Sequence, residues 1–60
     1  MSENDFDQQT ANEMNAISAM IKFANAQGLL CEVIYTFGQY RYNGDDVFKS
    51  TRDALNEWDC

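Results

Sequence analysis

The sixty residues contain no histidine, only three glycines, two cysteines and four basic side chains, and each shortage closes a class of function. Without histidine the usual imidazole base and the commonest metal ligand are missing, and no serine or cysteine has a base at a recognisable spacing. Enzymatic activity and a bound cofactor are therefore not expected. Gly28, Gly38 and Gly44 are ten and six residues apart, so they fit neither G-x-G-x-x-G nor G-x-x-x-x-G-K and build no phosphate-cradling loop. Cys31, inside an apolar run, and Cys60, the last residue, are too few for a disulfide framework. Both are read as reduced, with Cys60 the position at which oxidation would crosslink a dimer. No run approaches the roughly 18 to 20 apolar residues of a membrane span. Met1-Ser2-Glu3-Asn4-Asp5 is acidic where a signal peptide would be basic, so a cytoplasmic protein is expected.

Basic residues are outnumbered ten to four, which gives a formal net charge of −6. Such a surface is repelled by phosphates and by anionic membranes, and is attracted by a basic protein groove. Direct nucleic-acid and membrane binding are accordingly not expected. A chain this short buries only roughly 60% of the surface its unfolded form exposes, so it should lean on a partner or on a copy of itself. A composition that is 45% hydrophobic, with four Phe, three Tyr and one Trp, still places it among folded chains and apart from disordered acidic ones.

The charge is uneven: residues 1–21 carry −4, residues 22–44 carry +1 and residues 45–60 carry −3. Residues 1–9 are polar and aperiodic and read as a flexible acidic arm, followed by one small domain over 10–60. Thr10-Ala11-Asn12-Glu13 fits a capping box, which predicts a helix start at Thr10. Met14, Ile17, Ile21 and Ala24 recur at spacings of three and four, with Met20 and Phe23 widening the stripe, and Gly28 stands where a left-handed residue would close the helix. Further on, Asn43-Gly44 signals a turn, and Asp45 or Asp46 can cap a last helix whose stripe is Val47, Thr51, Ala54 and Trp58, flanked by Phe48 and Leu55.

The middle segment, 29–42, supports two readings. Cys31 to Phe37 is dense in β-formers, and Gly38-Gln39 suits a hairpin turn into Tyr40-Arg41-Tyr42, giving an α-β-β-α order with a central hairpin at 31–42. Leu30, Val33, Ile34, Phe37 and Tyr40 also share one helical face, and a lone hairpin with two open edges is marginal. The helix is preferred, so the expected fold class is all-α, a small three-helix bundle.

The run Leu30-Cys31-Glu32-Val33-Ile34-Tyr35-Thr36-Phe37, a Gly-Asp turn at Gly44-Asp45, and Ala54-Leu55-Asn56-Glu57-Trp58-Asp59-Cys60 resemble a pattern in short proteins of large tailed bacteriophages. There a Glu-Val-hydrophobic helix precedes a last helix ending in Glu-Trp. The resemblance covers residues 29–60 and implies a helical accessory factor acting in an infected cell on a host protein. It defines no functional residue.

The remaining motifs are bland in chemistry. Asn43-Gly44-Asp45-Asp46 lacks the alternating ligands and closing Glu of an EF-hand and reads as a turn with a helix cap, so no metal is expected. Asp53 and Glu57 lie one helical turn apart on a solvated face, without the burial that separates the pKa values of an acid/base pair. A last helix region at −3 does not suit a helix-turn-helix, and Lys22 alone on the first helix does not suit a lipid surface.

Two functional readings follow. In the first the chain binds and modulates a host protein as an inhibitor or adaptor. Its sharper form is an acidic nucleic-acid mimic, with Asp46, Asp53 and Glu57 on the last helix and Glu3, Asp5, Asp7 and Glu13 at the start. Lys49 and Arg52 interrupt that stripe, and Lys49 is spaced for ordinary ion pairs with Asp45 and Asp53. The second reading is a homodimeric interaction protein, since Tyr35, Tyr40, Tyr42, Phe48 and Trp58 exceed what a sixty-residue core needs. Phe37, Phe48 and Trp58 are read as core; the tyrosines stand between core and interface. The expected contact residues are Tyr35, Tyr40, Arg41 and Tyr42 in the middle segment and Asp46, Asp53 and Glu57 on the last helix.

Overall fold

The computed structural model describes residues 7–60, which form three α-helices: α1 (Gln8–Ala26), α2 (Leu30–Tyr42) and α3 (Val47–Glu57). Among the described residues there is no strand, so the all-α expectation holds and the central hairpin is excluded. The β-formers of α2 are overruled by packing. Val33 is fully buried, and Leu30, Phe37 and Tyr40 pack against the same core. Burying a side chain such as Val33 contributes about 1.5 to 3 kcal/mol, which exceeds the roughly 0.8 to 1 kcal/mol that Gly38 costs mid-helix.

The start of α1 corrects the sequence reading. Asp7, not Thr10, is the N-cap: its Oδ1 accepts the Thr10 backbone N–H at 2.8 Å, and the helix begins at Gln8. A carboxylate caps better than a threonine hydroxyl and also faces the positive pole of the helix, so Asp7 captures the end three residues earlier. Glu13 accepts from Gln9 Nε2 at 3.0 Å instead of reaching back to close a box. Residues 8 and 9 of the expected arm are thus helical, and residues 1–6 lie outside the described residues.

All three helices end in the same way. After α1, Leu29 N–H donates to Ala24 O at 2.9 Å and Gly28 N–H to Asn25 O at 3.1 Å, the paired bonds of a Schellman motif around a left-handed Gly28 with φ +72°. After α2, Asp45 N–H reaches Tyr40 O at 3.1 Å across Gly44, φ +102°. After α3, Cys60 N–H reaches Leu55 O at 2.9 Å across Asp59, the one non-glycine residue with positive φ among the described residues, at 57°. These stops turn the chain sharply and leave short links, which fold the helices back on one another.

Met20, Ala24, Val33 and Ala54 form the buried centre, with Leu29, Leu30, Phe37, Tyr40, Leu55 and Cys60 packed around it. The α1 stripe is only partly used. Met20 and Ala24 are buried and Ile17 is half-buried, whereas Met14, Ile21 and Phe23 are exposed on either flank. Its apolar arc is wider than the strip that the two shorter helices cover. On α3, Val47, Thr51 and Ala54 are buried as expected. Phe48 and Trp58, read as core, are 40% and 38% exposed, because they fall at the flank and beyond the last turn of α3. Ser50 is fully buried in a place the sequence did not announce; its hydroxyl faces Asp45 O at 3.4 Å.

Candidate functional site

The expected contact residues divide into three sets: a seam between α2 and α3, two residues that cap or tie the link between these helices, and a pair on the outward face of α2. Tyr40 faces inward: it packs on the core, and its hydroxyl donates to Glu57 Oε1 at 3.5 Å. Burial, with the neighbouring Glu57 and Asp53 charges, holds its phenol above the ordinary value. Along α3, Lys49 Nζ donates to Asp53 Oδ2 at 2.6 Å and lies 3.8 Å from Asp45, while Arg52 Nε is 3.6 Å from Asp53. The Lys49 hydrogen bond keeps the Asp53 carboxyl below its usual value and, in return, raises the Lys49 ammonium. Tyr40, Lys49, Asp53 and Glu57 therefore form one seam between α2 and α3.

Two more of the expected contacts have local tasks. Asp46 is the N-cap of α3 and accepts the Lys49 backbone N–H at 2.8 Å. Arg41 Nη1 donates to Asp45 O at 2.6 Å and ties down the link between α2 and α3. Each carboxylate proposed as a phosphate look-alike on α3 is thus already engaged within the chain, by a backbone N–H, a lysine or a phenol. Of the N-terminal carboxylates, Asp7 is a helix cap and Glu13 holds Gln9, while Glu3 and Asp5 lie outside the described residues.

Tyr35 and Tyr42 are different. They are 68% and 89% exposed, and neither hydroxyl bonds to a described residue. Seven residues apart, they share one face of α2. At about 100° per residue, Cys31, Tyr35, Gly38 and Tyr42 all fall within roughly 40° of the direction opposite Val33. All four are exposed. The structure does not bring Tyr35 and Tyr42 to the acidic seam. It sets them on an outward strip whose other members, Cys31 and Gly38, were not among the expected contacts. Their spacing of four, three and four is visible in the sequence, but it lies on the face opposite the core-facing stripe of Leu30, Val33, Phe37 and Tyr40.

Chemically the strip offers a surface and not a recess: no cavity opens and no cluster of three metal-ligating side chains occurs among the described residues. No helix among them is long and apolar enough to cross a membrane. No family model, curated protein or solved structure matches the chain.

Proposed function

We propose that this chain is a small acidic, non-catalytic protein that binds and modulates another protein, docking through the outward face of α2. The observation that carries this reading is the pair Tyr35 and Tyr42, held on one rigid helical face and exposed at 68% and 89%. Large aromatic side chains left in water are the usual anchors of protein interfaces, because burying each removes much apolar area at little cost in side-chain entropy. The carboxylates of the last helix are the weaker candidate, since Asp46, Asp53 and Glu57 are already engaged by a backbone N–H, a lysine and a phenol of the chain itself. The resemblance over residues 29–60 makes a host-cell protein the partner to look for.

The test is affinity capture from host cells with the wild-type chain and with Tyr35→Glu/Tyr42→Glu. The expected result is one protein retained by the wild type and lost by the variant, while circular dichroism shows the same helix content. Retention should survive a rise from about 0.1 M to about 1 M salt, which screens charge pairs but not apolar contact. Capture indifferent to both tyrosines overturns the α2 docking site, and release by salt alone shifts the reading to carboxylate mimicry.

A further inference from the structure

Gly38 is the residue that the fold itself leaves unexplained. It lies in the middle of α2 with ordinary helical backbone, and a Cβ placed on it meets nothing within 4 Å. Nothing among the described residues requires its side chain to be absent. Its neighbours on the outward strip supply a reason. Cys31, Tyr35, Gly38 and Tyr42 step by four, three and four, the spacing of a heptad seam, and along it small and large residues alternate.

We propose that, until another protein displaces it, the occupant of this strip is a second copy of the chain, with the two α2 helices packed antiparallel about a two-fold axis between Thr36 and Phe37; the inference rests on the docking face proposed above, which the free chain covers with itself. In that register Tyr35 shares a layer with Gly38 of the second copy, and Tyr42 with Cys31 of the second copy. Every layer then holds one large and one small side chain, so the helices stay evenly spaced and Gly38 is the hole that the tyrosine ring enters. A parallel pairing would set tyrosine on tyrosine and glycine on glycine, wedging the helices apart in one layer and leaving a void in the next.

Charge selects the same occupant and the same face. Two chains of net charge −6 repel, but within α2 the only charges are Glu32 and Arg41, which cancel. The strip is the neutral side of an acidic molecule, where two copies approach with least opposition. Glu32 and Gln39 flank it on one side, and antiparallel packing brings each Glu32 carboxylate beside a Gln39 amide of the second copy, a donor for an acceptor. Area is consistent with a modest dimer. Four tyrosines bury on the order of 150 Å² each, about half of the roughly 1,200 Å² total at the low end of stable interfaces. Ile34, exposed on the opposite flank, and the Arg41 stem add to it.

Sedimentation equilibrium on the full chain tests the pairing, comparing wild type, Tyr35→Glu, Gly38→Leu and, as a control on α1, Phe23→Glu. The wild type should move from monomer to dimer mass between micromolar concentrations and about 0.5 mM, and Phe23→Glu should follow it. Tyr35→Glu and Gly38→Leu should each weaken association by about thirty-fold or more, the loss expected of an interface anchor, with helix content unchanged by circular dichroism. A wild-type chain that stays monomeric throughout, or a Tyr35→Glu chain that dimerises as well as wild type, overturns the proposal.

Oxidation tests the direction. In a Cys60→Ser background, Tyr42→Cys should crosslink to Cys31 of the other copy. Cys60→Ser alone should not crosslink, because antiparallel packing holds the two Cys31 thiols roughly 16 Å apart along the axis. A Cys31–Cys31 bridge in that background overturns the antiparallel register. A monomeric chain that still captures a foreign protein through Tyr35 and Tyr42 overturns the pairing while leaving the protein-binding reading in place.

Discussion

The three glycines show how little the space around a residue says without its backbone angle. At each of them a Cβ would meet nothing within 4 Å, yet the expected effects of alanine have opposite signs. Gly38→Ala should stabilise the dilute, monomeric chain by about 1 kcal/mol, because alanine loses less backbone freedom on entering a helix. Gly28→Ala should destabilise it by about 1 to 2 kcal/mol, since φ of +72° crowds any Cβ against the backbone. Asp59 occupies the equivalent left-handed position after α3 with φ of 57°, and there its charge also faces the negative end of the helix. Asp59→Gly should therefore raise stability by about 0.5 to 1 kcal/mol. Urea unfolding followed by circular dichroism measures all three. A loss of stability in Asp59→Gly would mean that the carboxylate holds something at the C-terminus.

Helices are joined here by single polar links that hydrophobic spacing does not reveal. The Thr36 hydroxyl donates to Glu32 O at 2.9 Å, a bond within its own helix, and accepts the Trp58 indole N–H at 2.8 Å. One side chain thus fastens the end of α3 to the middle of α2. Thr36→Val keeps the shape and removes both bonds; it should cost about 1 kcal/mol and shift Trp58 fluorescence to the red as the indole turns to water. An unchanged emission maximum would show that packing alone holds the ring. This link also marks the limit of what the sequence disclosed. The existence of α1 and α3, the turns at Gly28 and Gly44, and the cap at Asp45 or Asp46 follow from spacing and turn chemistry, and the structure has them. The fork at α2 could not be resolved by propensity, because Val33, Ile34, Thr36 and Phe37 suit a strand; only the burial of Val33 and the packing of half-buried Phe37 on the core settle it. The start of α1 was ambiguous because Asp7 and Thr10 are both capping residues, three positions apart. At the candidate site the surplus of tyrosines pointed to Tyr35, Tyr40 and Tyr42 alike, and only the packing turns Tyr40 inward; the cap at Asp46 and the spacing of Lys49 to Asp53 were legible, whereas the phenol that meets Glu57 lies 17 residues away and is brought there only by the fold.

The whole molecule carries six excess negative charges, and its response to pH turns on a few specific contacts. Asp53 and Asp7 have carboxyls held below their ordinary value of 3.8, Asp53 by the Lys49 hydrogen bond and Asp7 by the Thr10 N–H. A carboxyl depressed on folding stabilises the fold above its unfolded pKa, and that contribution disappears as pH falls through the lower, folded value. Lys49 and Tyr40 are raised from 10.5 and 10.0, Lys49 chiefly by Asp53 and Tyr40 chiefly by burial. Their contributions are complete below those values and fade as pH rises through the higher, folded ones. Stability should therefore hold from about pH 7 to about pH 5, then fall below the ordinary carboxyl range and again above about pH 10. Thermal melts across this series at fixed ionic strength measure the profile. Asp53→Asn should make both limbs shallower at once, since it deletes one acid-side group and the main partner of the alkaline-side Lys49. If it softened only the acid limb, Lys49 would owe its elevation to Asp45, 3.8 Å away, and the α3 ion pairs would act as a network of three and not as the single Lys49–Asp53 bond.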